Sequence, residues 1–253
     1  MKLSHAQKSA FYENGFVKIP GVVPQIMVEA ALRAINHSVG EGMRAEDMVT
    51  MRAQSYCKEL THAAVITDLF NRTAVPELAE SILGSGQVAP AGGGQIALRF
   101  PGLQDPPGRP GGHLDGMYTP TNGVPKGTIQ NFTMLVGVYL SSVRQDNAGN
   151  LTVWPGTHHL FEKYFREHGA ESLLEGMPKV DMPEPTQIMV EPGDVVFAHY
   201  ELAHGTAPNI SPNVRYAIYF RITHAEFDRS QWQAPMHNIW MHYPGIQEAF
   251  SLS

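Results

Sequence analysis

Hydrophobic periodicity changes once along this chain, at Gly84, and that change restricts the fold more than any other feature. Before it, apolar residues recur at helical spacing. Ser4, with Gln7 three residues on, makes a capping box that opens a helix over Ala6 to Glu13, and Gly15 is placed to end it. Phe16 to Ile19 reads as a short strand. Val23 to Val39 has the spacing of an amphipathic helix, with Pro24 suited to its first turn. Residues 40–58 show no clear period. Ala63 to Phe70 and Val75 to Leu83 again read as helices, the second stopped by Gly84.

Beyond Gly84, glycine and proline become frequent, and short runs of branched and aromatic residues take over. Strands are expected at Gln95 to Phe100, Thr133 to Leu140, Leu151 to Trp154, Gln187 to Val190, Val195 to Ala198 and Arg215 to Ile222. One helix, Phe161 to Leu174, reads as an insertion between strands. Alternate residues of a strand face opposite ways, so Gln95, Ala97 and Arg99 share one face and larger apolar residues the other. A barrel with a polar lumen would use that arrangement. At 253 residues and 43% hydrophobic, the chain can bury one sizeable core, and a single domain is expected over 1–253.

Charge and cysteine content narrow the function. Acidic side chains outnumber basic ones, 24 to 18, and no basic run occurs, which argues against nucleic acid as a partner. Cys57 stands alone and cannot form an intramolecular disulfide, and the N-terminus lacks the apolar centre of a signal peptide, so a reducing cytoplasm is expected. No apolar stretch approaches the roughly 20 residues that span a bilayer, so no membrane association is expected.

The chemistry-bearing pattern is His113-Leu114-Asp115, followed at a distance by His204 and Arg215. In a strand, His113 and Asp115 point to the same side and can hold one ion while Leu114 packs away. The segment from Glu191 to Thr206 supplies a Pro-Gly-Asp turn, a buried strand and a second short strand that presents His204, which is preferred to His199 as the third ligand. Two imidazoles and one carboxylate can occupy one face of an octahedral metal and leave the other face open, the arrangement of non-haem iron. Thr206 lies on the same face as His204. Arg215 opens a strongly apolar run, where a guanidinium needs an anionic partner; a bound organic acid fits its fork, and one of the 24 acidic side chains is the alternative.

Taken together, His113-x-Asp115, the stretch Gly149 to His158, Pro192-Gly193-Asp194, His204 and Arg215 resemble the phytanoyl-CoA dioxygenase family of Fe(II)- and 2-oxoglutarate-dependent oxygenases. The opening Gly15 to Gly21 is also similar to that family's, so the resemblance spans nearly the whole chain. It implies a mainly β fold, a double-stranded β-helix (a cupin-like jelly roll) over 86–225, with helices packed outside it, helical support from 1–85 and a C-terminal extension over 226–253. It implies Fe(II) held by His113, Asp115 and His204, and 2-oxoglutarate as co-substrate, its C5 carboxylate on Arg215 with Thr206 beside it. The family often carries a tryptophan on the strand that here runs from Thr133 to Leu140, and none is present, so the other end of the co-substrate has only Arg99, Gln130, Asn131 and Thr133 as polar candidates.

The expected reaction is oxidation, usually hydroxylation, of a small or medium organic molecule, such as a secondary metabolite or small acid, by molecular oxygen with release of succinate and CO2. Related halogenases have a small residue where Asp115 stands, so halogenation is not expected. Tyr118, Met117 and Trp154 are candidates to line the substrate pocket, while His158 and His159, adjacent and on a strand, would face opposite ways outside the ligand set. The aromatic-rich 230–245 could close the mouth or form a homodimer contact. The alternatives are a cupin-like metalloenzyme that does without 2-oxoglutarate and a non-catalytic binding protein of the same fold.

Overall fold

The computed structural model describes residues 1–102 and 108–252. Helix α1 (His5–Asn14) carries the Ser4–Gln7 capping box and leads through Gly15 into β1 (Phe16–Ile19). Four helices follow: α2 (Gln25–Gly40), α3 (Met48–Ala53), α4 (Ala64–Asn71) and α5 (Val75–Leu83). Pro24 stands at the N-cap of α2, one position before the first turn where the sequence placed it. The unassigned 40–58 stretch contains α3, and Tyr56 then ties it to the β region by donating its backbone N–H to the Ile96 carbonyl at 2.9 Å.

The β region is built from two antiparallel sheets. The larger runs β1–β6–β3–β8–β2, with β2 at Gln95–Arg99, β3 at Met134–Tyr139, β6 at Val195–His199 and β8 at Arg215–Ile222. The smaller runs β5–β4–β7, from Thr186–Gln187, Leu151–Val153 and His204–Thr206. The result is the jelly roll with outer helices that the family resemblance implied, its helices and strands falling on either side of the change of periodicity. Two expected elements differ. The Gln187–Val190 strand is interrupted, because Gln187 pairs with Thr152 whereas Val190 bridges Val143: the chain changes partner between them. The insertion helix α6 starts earlier, at Thr157, runs to His168 and breaks at Gly169 into a 3-10 turn over Ala170–Glu175. His158 and His159 therefore lie in the first turn of a helix, not on a strand. Both rings bond the Tyr12 carbonyl at 3.0 Å, away from the metal trio.

Strand alternation divides the interior. Ile96, Leu98, Val136, Phe197, Ile218 and Phe220 share one core with Ile66, Leu69 and Phe70 of helix α4. The opposite face of the same sheet sends Ala97, Leu135, Ala217 and Tyr219 towards the smaller sheet's Leu151 and Val153. Each large apolar side chain so buried contributes roughly 1.5–3 kcal/mol; truncating fully buried Phe70 or Phe220 to alanine is expected to cost about 3–5 kcal/mol. The helices thus hold one face of the sheet and leave the inter-sheet face for a cavity. Among the described residues, no helix is long and apolar enough to cross a membrane.

Candidate active site

His113 and His204 are brought together by the backbone. Each donates its N–H to the other's carbonyl, at 2.9 and 3.1 Å, so their imidazoles emerge on one side with ring centroids 4.7 Å apart. This approach needs Gly205, where a Cβ would stand 2.2 Å from the Gly111 carbonyl oxygen. Trp154 packs against Gly112 behind the pair and is itself buried. It braces the site and does not line the cavity.

Asp115 completes the trio. Its Oδ1 lies 3.3 Å from His113 Nε2 and 3.6 Å from His204 Nε2, and one donor atom from each of the three residues falls within 4.8 Å of the others. Leu114 between them is buried in the inter-sheet core. His204 Nδ1 donates to the Leu202 carbonyl at 3.0 Å, which leaves the Nε2 lone pair free to bind a metal. Asp115 Oδ2 accepts two bonds from Arg221, from Nε at 3.0 Å and from the outer nitrogen at 2.8 Å. Burial works to raise the Asp115 carboxyl, but Arg221, with His113 and His204, outweighs it and holds it well below the usual carboxylate range. Two nitrogen donors and one anionic oxygen donor converging on one point, open to a cavity, suit a divalent ion of the iron type.

Two cations stand beside the trio, Arg99 lining its cavity and Arg215 behind it. Arg99 on β2 and Arg215 on β8 are direct cross-strand partners, an arrangement of like charges that is destabilising by itself. Arg215 is 1% exposed; its Nε donates to the Gly149 carbonyl at 2.7 Å and one terminal nitrogen to the Ala97 carbonyl at 3.0 Å. Gly149 adopts φ +76°, and a Cβ there would sit 2.9 Å from Arg99 Cβ and 3.2 Å from Arg215 Cβ, so only glycine lets this loop cover both arginines. Arg99 donates to Thr206 Oγ1 at 3.3 Å. Burial, and after it Arg215 and Arg52, lowers the Arg99 guanidinium to about 10. Among the described residues, Arg99 Nε and Arg215 Nη2 are buried without a hydrogen-bond partner. Two unsatisfied guanidinium donors side by side fit a carboxylate, which would offset both the repulsion and the lost bonds.

The cavity joining these groups has a volume of about 690 Å³. Of the residues singled out in the sequence, His113, Asp115, His204, Thr206, Arg99, Gln130 and Met117 line it, and Arg215 backs it through its contact with β2. Four others stand elsewhere. Asn131 is buried and donates to the Trp232 carbonyl at 2.9 Å, and Thr133 Oγ1 accepts the His224 backbone N–H at 2.9 Å; both tie the β core to the C-terminal segment and do not reach the cavity. Tyr118 is 42% exposed, outside the cavity wall, and Trp154 lies behind it. Arg221 and Arg52 were not singled out. A signal for Arg221 existed: Arg215, Ala217, Tyr219 and Arg221 alternate along one strand and must share a face.

The model of the phytanoyl-CoA dioxygenase (PhyH) family matches residues 11–217, well over half of the chain. No curated protein sequence matches it. Among solved structures, the chain is similar to HygX from Streptomyces hygroscopicus, crystallised with nickel and 2-oxoglutarate, at 18% identity over 90% of each chain with a TM-score of 0.57. It is similar to the non-heme alpha ketoglutarate dependent carbocyclase SnoK from nogalamycin biosynthesis, at 20% identity over 87% of this chain and 83% of that one, TM-score 0.56. The epimerase SnoN of the same biosynthesis matches at 17% identity over 86% and 81%, TM-score 0.55. These likenesses concern the jelly-roll fold.

Proposed function

The chain belongs to the phytanoyl-CoA dioxygenase (PhyH) family, and from that premise we propose that it is an Fe(II)- and 2-oxoglutarate-dependent oxygenase that oxidises a small or medium organic molecule, with hydroxylation as the expected outcome. The observation that carries this reading is a pair of buried guanidiniums, each with a donor unsatisfied among the described residues: Arg99 lines the same cavity as the His113–Asp115–His204 trio, and Arg215 lies behind it, directly opposite Arg99 on the next strand. A metalloenzyme of this fold working without 2-oxoglutarate leaves that cationic pair without a purpose.

In this reading His113, Asp115 and His204 hold the iron, and Arg215, Arg99 and Thr206 receive the distal carboxylate of 2-oxoglutarate. Iron with its co-substrate supplies the oxidant by coupling decarboxylation to activation of molecular oxygen. The chain's own residues do the rest. Leu202 fixes the His204 ring so that Nε2 faces the metal position. Arg221 keeps Asp115 Oδ2 occupied and Oδ1 directed towards the histidines. Leu135 and Leu151 give the cavity part of its apolar wall. Asp115 also fills the position a halide would need, which favours oxidation over halogenation. The fold alone leaves the reaction subtype open, since the structures it resembles include a carbocyclase and an epimerase. A reducing cytoplasm as the compartment, and self-association through the aromatic C-terminal segment, belong to the same proposal.

The test is conversion of 2-oxoglutarate to succinate by the iron-loaded protein, with and without candidate substrates. Iron-dependent succinate formation supports the reading. Absence of both succinate and a visible iron–2-oxoglutarate absorption band overturns it.

A further inference from the structure

The charge of the cavity carries the reading further, to the class of substrate, and this step rests on the oxygenase assignment. Four guanidiniums belong to the site, those of Arg52, Arg99, Arg215 and Arg221, whereas among the described residues a single carboxylate, Asp115, lines the cavity. The chain as a whole carries a formal charge of −6, so this concentration of positive charge is local and runs against the average surface. Iron(II) and the 2-oxoglutarate dianion bring equal and opposite charges, so loading the site leaves its cationic excess unchanged. Three of the four guanidiniums can then be assigned a partner. Arg221 has Asp115, at 2.8 and 3.0 Å. Arg99 and Arg215 flank the place for the co-substrate's distal carboxylate. Arg52 has none.

Arg52 stands in the last turn of α3 and lines the same cavity as the trio. Among the described residues it makes no ion pair or hydrogen bond, yet it is close enough to Arg99 to help depress that guanidinium. Its neighbour Gln54 is already engaged, donating to the Thr121 carbonyl at 2.9 Å and accepting from Lys58 at 2.8 Å. Gln54 thereby joins the end of α3 to the loop that carries Thr119 and Asn122 along the cavity rim. That loop is held in turn by Asn122, which accepts from the Thr119 and Val124 backbones and donates to the Met117 carbonyl. Arg52 is exposed on this braced rim and lines a cavity with no free anion among the described residues, so it is placed to meet a negative charge on whatever enters. A helix-terminal arginine that merely complements the helix dipole would not need to face the cavity.

We propose that the substrate is an organic anion whose carboxylate or phosphate group is bound by Arg52 at the cavity rim, which directs its apolar part inwards towards the metal trio. The size of the cavity, about 690 Å³, suits a small or medium molecule beside the co-substrate. Arg52 is thus a specificity-determining residue, distinct from the arginines that hold the co-substrate.

The experiment uses the full chain loaded with Ni(II) and saturating 2-oxoglutarate, so that the co-substrate site is filled and cannot capture the probe. Hexanoate, 3-phenylpropanoate and hexyl phosphate are titrated by calorimetry against methyl hexanoate, methyl 3-phenylpropanoate and hexanol. At least one anion is expected to bind ten-fold or more tightly than its neutral counterpart, more weakly as sodium chloride is raised. Carboxylates and the phosphate ester separate by which binds better. Arg52→Gln should remove most of that preference while the chain still binds 2-oxoglutarate to saturation and keeps its circular dichroism spectrum, and Arg52→Lys should restore part of it. The proposal is overturned if no anion binds better than its neutral partner, or if Arg52→Gln leaves the preference intact. If 2-oxoglutarate itself fails to bind the Ni(II)-loaded chain, the oxygenase reading falls and this one with it. Normal 2-oxoglutarate binding without anion preference removes only the present inference.

Discussion

Arg221 and Asp115 form a two-pronged ion pair in which Asp115 Oδ2 is taken by the guanidinium and Oδ1 is left facing both histidines. An aspartate held this way can offer a metal one oxygen only, in one direction. Arg221 is part exposed, and its remaining terminal nitrogen donates to Gln95 at 2.8 Å, so it is itself anchored. Replacing it by glutamine has two opposed effects. Loss of a positive charge near the cation favours metal binding by about 1 kcal/mol in water-like surroundings, whereas loss of a group that orients a ligand typically weakens binding about 10–100-fold. We expect orientation to win. Titration of Arg221→Gln with Ni(II) should show affinity reduced by about ten-fold or more, and unchanged or tighter binding would show that Asp115 needs no support.

Arg99 and Arg215 should separate in their effects although they face each other across the same two strands. Arg215 satisfies the carbonyls of Gly149 and Ala97 inside the protein, so Arg215→Gln exposes both to an unmet bond, roughly 1–3 kcal/mol each. Arg99 donates to its own strand's Leu98 carbonyl and to Thr206, and its removal also relieves the repulsion with Arg215. Arg99→Gln is therefore expected to leave the melting temperature of the metal-free chain unchanged or slightly raised. Its 2-oxoglutarate dissociation constant should rise about 10–100-fold, the equivalent of one charged hydrogen-bonding group. Arg215→Gln should lower both stability and affinity. Thermal melts and calorimetry on the two variants read the split directly.

Local patterns in the sequence were enough for the elements that depend on neighbours along the chain. The Ser4–Gln7 capping box, the α5 helix from Val75 to Leu83 and the long strand from Arg215 to Ile222 are each written in residues a few positions apart. The trio was legible for a different reason: its residue types are rare enough in combination to stand out at long separation. What was not legible depends on register. That Arg99 opposes Arg215, and that Arg221 reaches Asp115, follows from how β2, β8 and the 113–115 segment align, which no single run of residues specifies. Asn131 and Thr133 looked like cavity residues because they are polar beside a buried strand, but their partners come from the C-terminal segment, nearly a hundred residues later. His158 and His159 were assigned to a strand that gives way to helix α6 at Thr157, just after the Trp154-Pro155-Gly156 turn.

Asp115→Ala tests the trio as a unit. Removing the carboxylate deletes the anionic donor and strips Arg221 of its partner. Succinate formation should fall to the background without iron. The same variant should lose the stabilisation that a bound ion confers, which for the wild-type chain is about 2.7 kcal/mol when free metal is a hundred-fold above its dissociation constant. A chelator added to the wild type should reproduce that drop in melting temperature and leave Asp115→Ala unaffected. Persistence of a metal-dependent melting shift in the variant would remove Asp115 from the ligand set.

Glu201 sets a pH dependence unrelated to the metal. It is 1% exposed, and among the described residues its Oε2 has no hydrogen-bond partner; burial, followed by the nearby Glu162, raises its carboxyl well above the usual range. The folded chain therefore keeps the proton at pH values where the unfolded chain, titrating near 4.5, has lost it. Unfolding then releases a proton, so this residue's contribution to stability is full below about pH 4.5 and declines as pH rises towards the folded value. Glu201→Gln removes the titration and shifts stability by an amount independent of pH, so the informative quantity is the slope and not the offset. The difference in melting temperature, variant minus wild type, should grow steadily in the variant's favour between pH 5 and pH 8, measured on the metal-free chain to exclude changes in ligand binding. A difference that stays flat over that range would mean that Glu201 is ionised in the folded protein and has found a compensating partner.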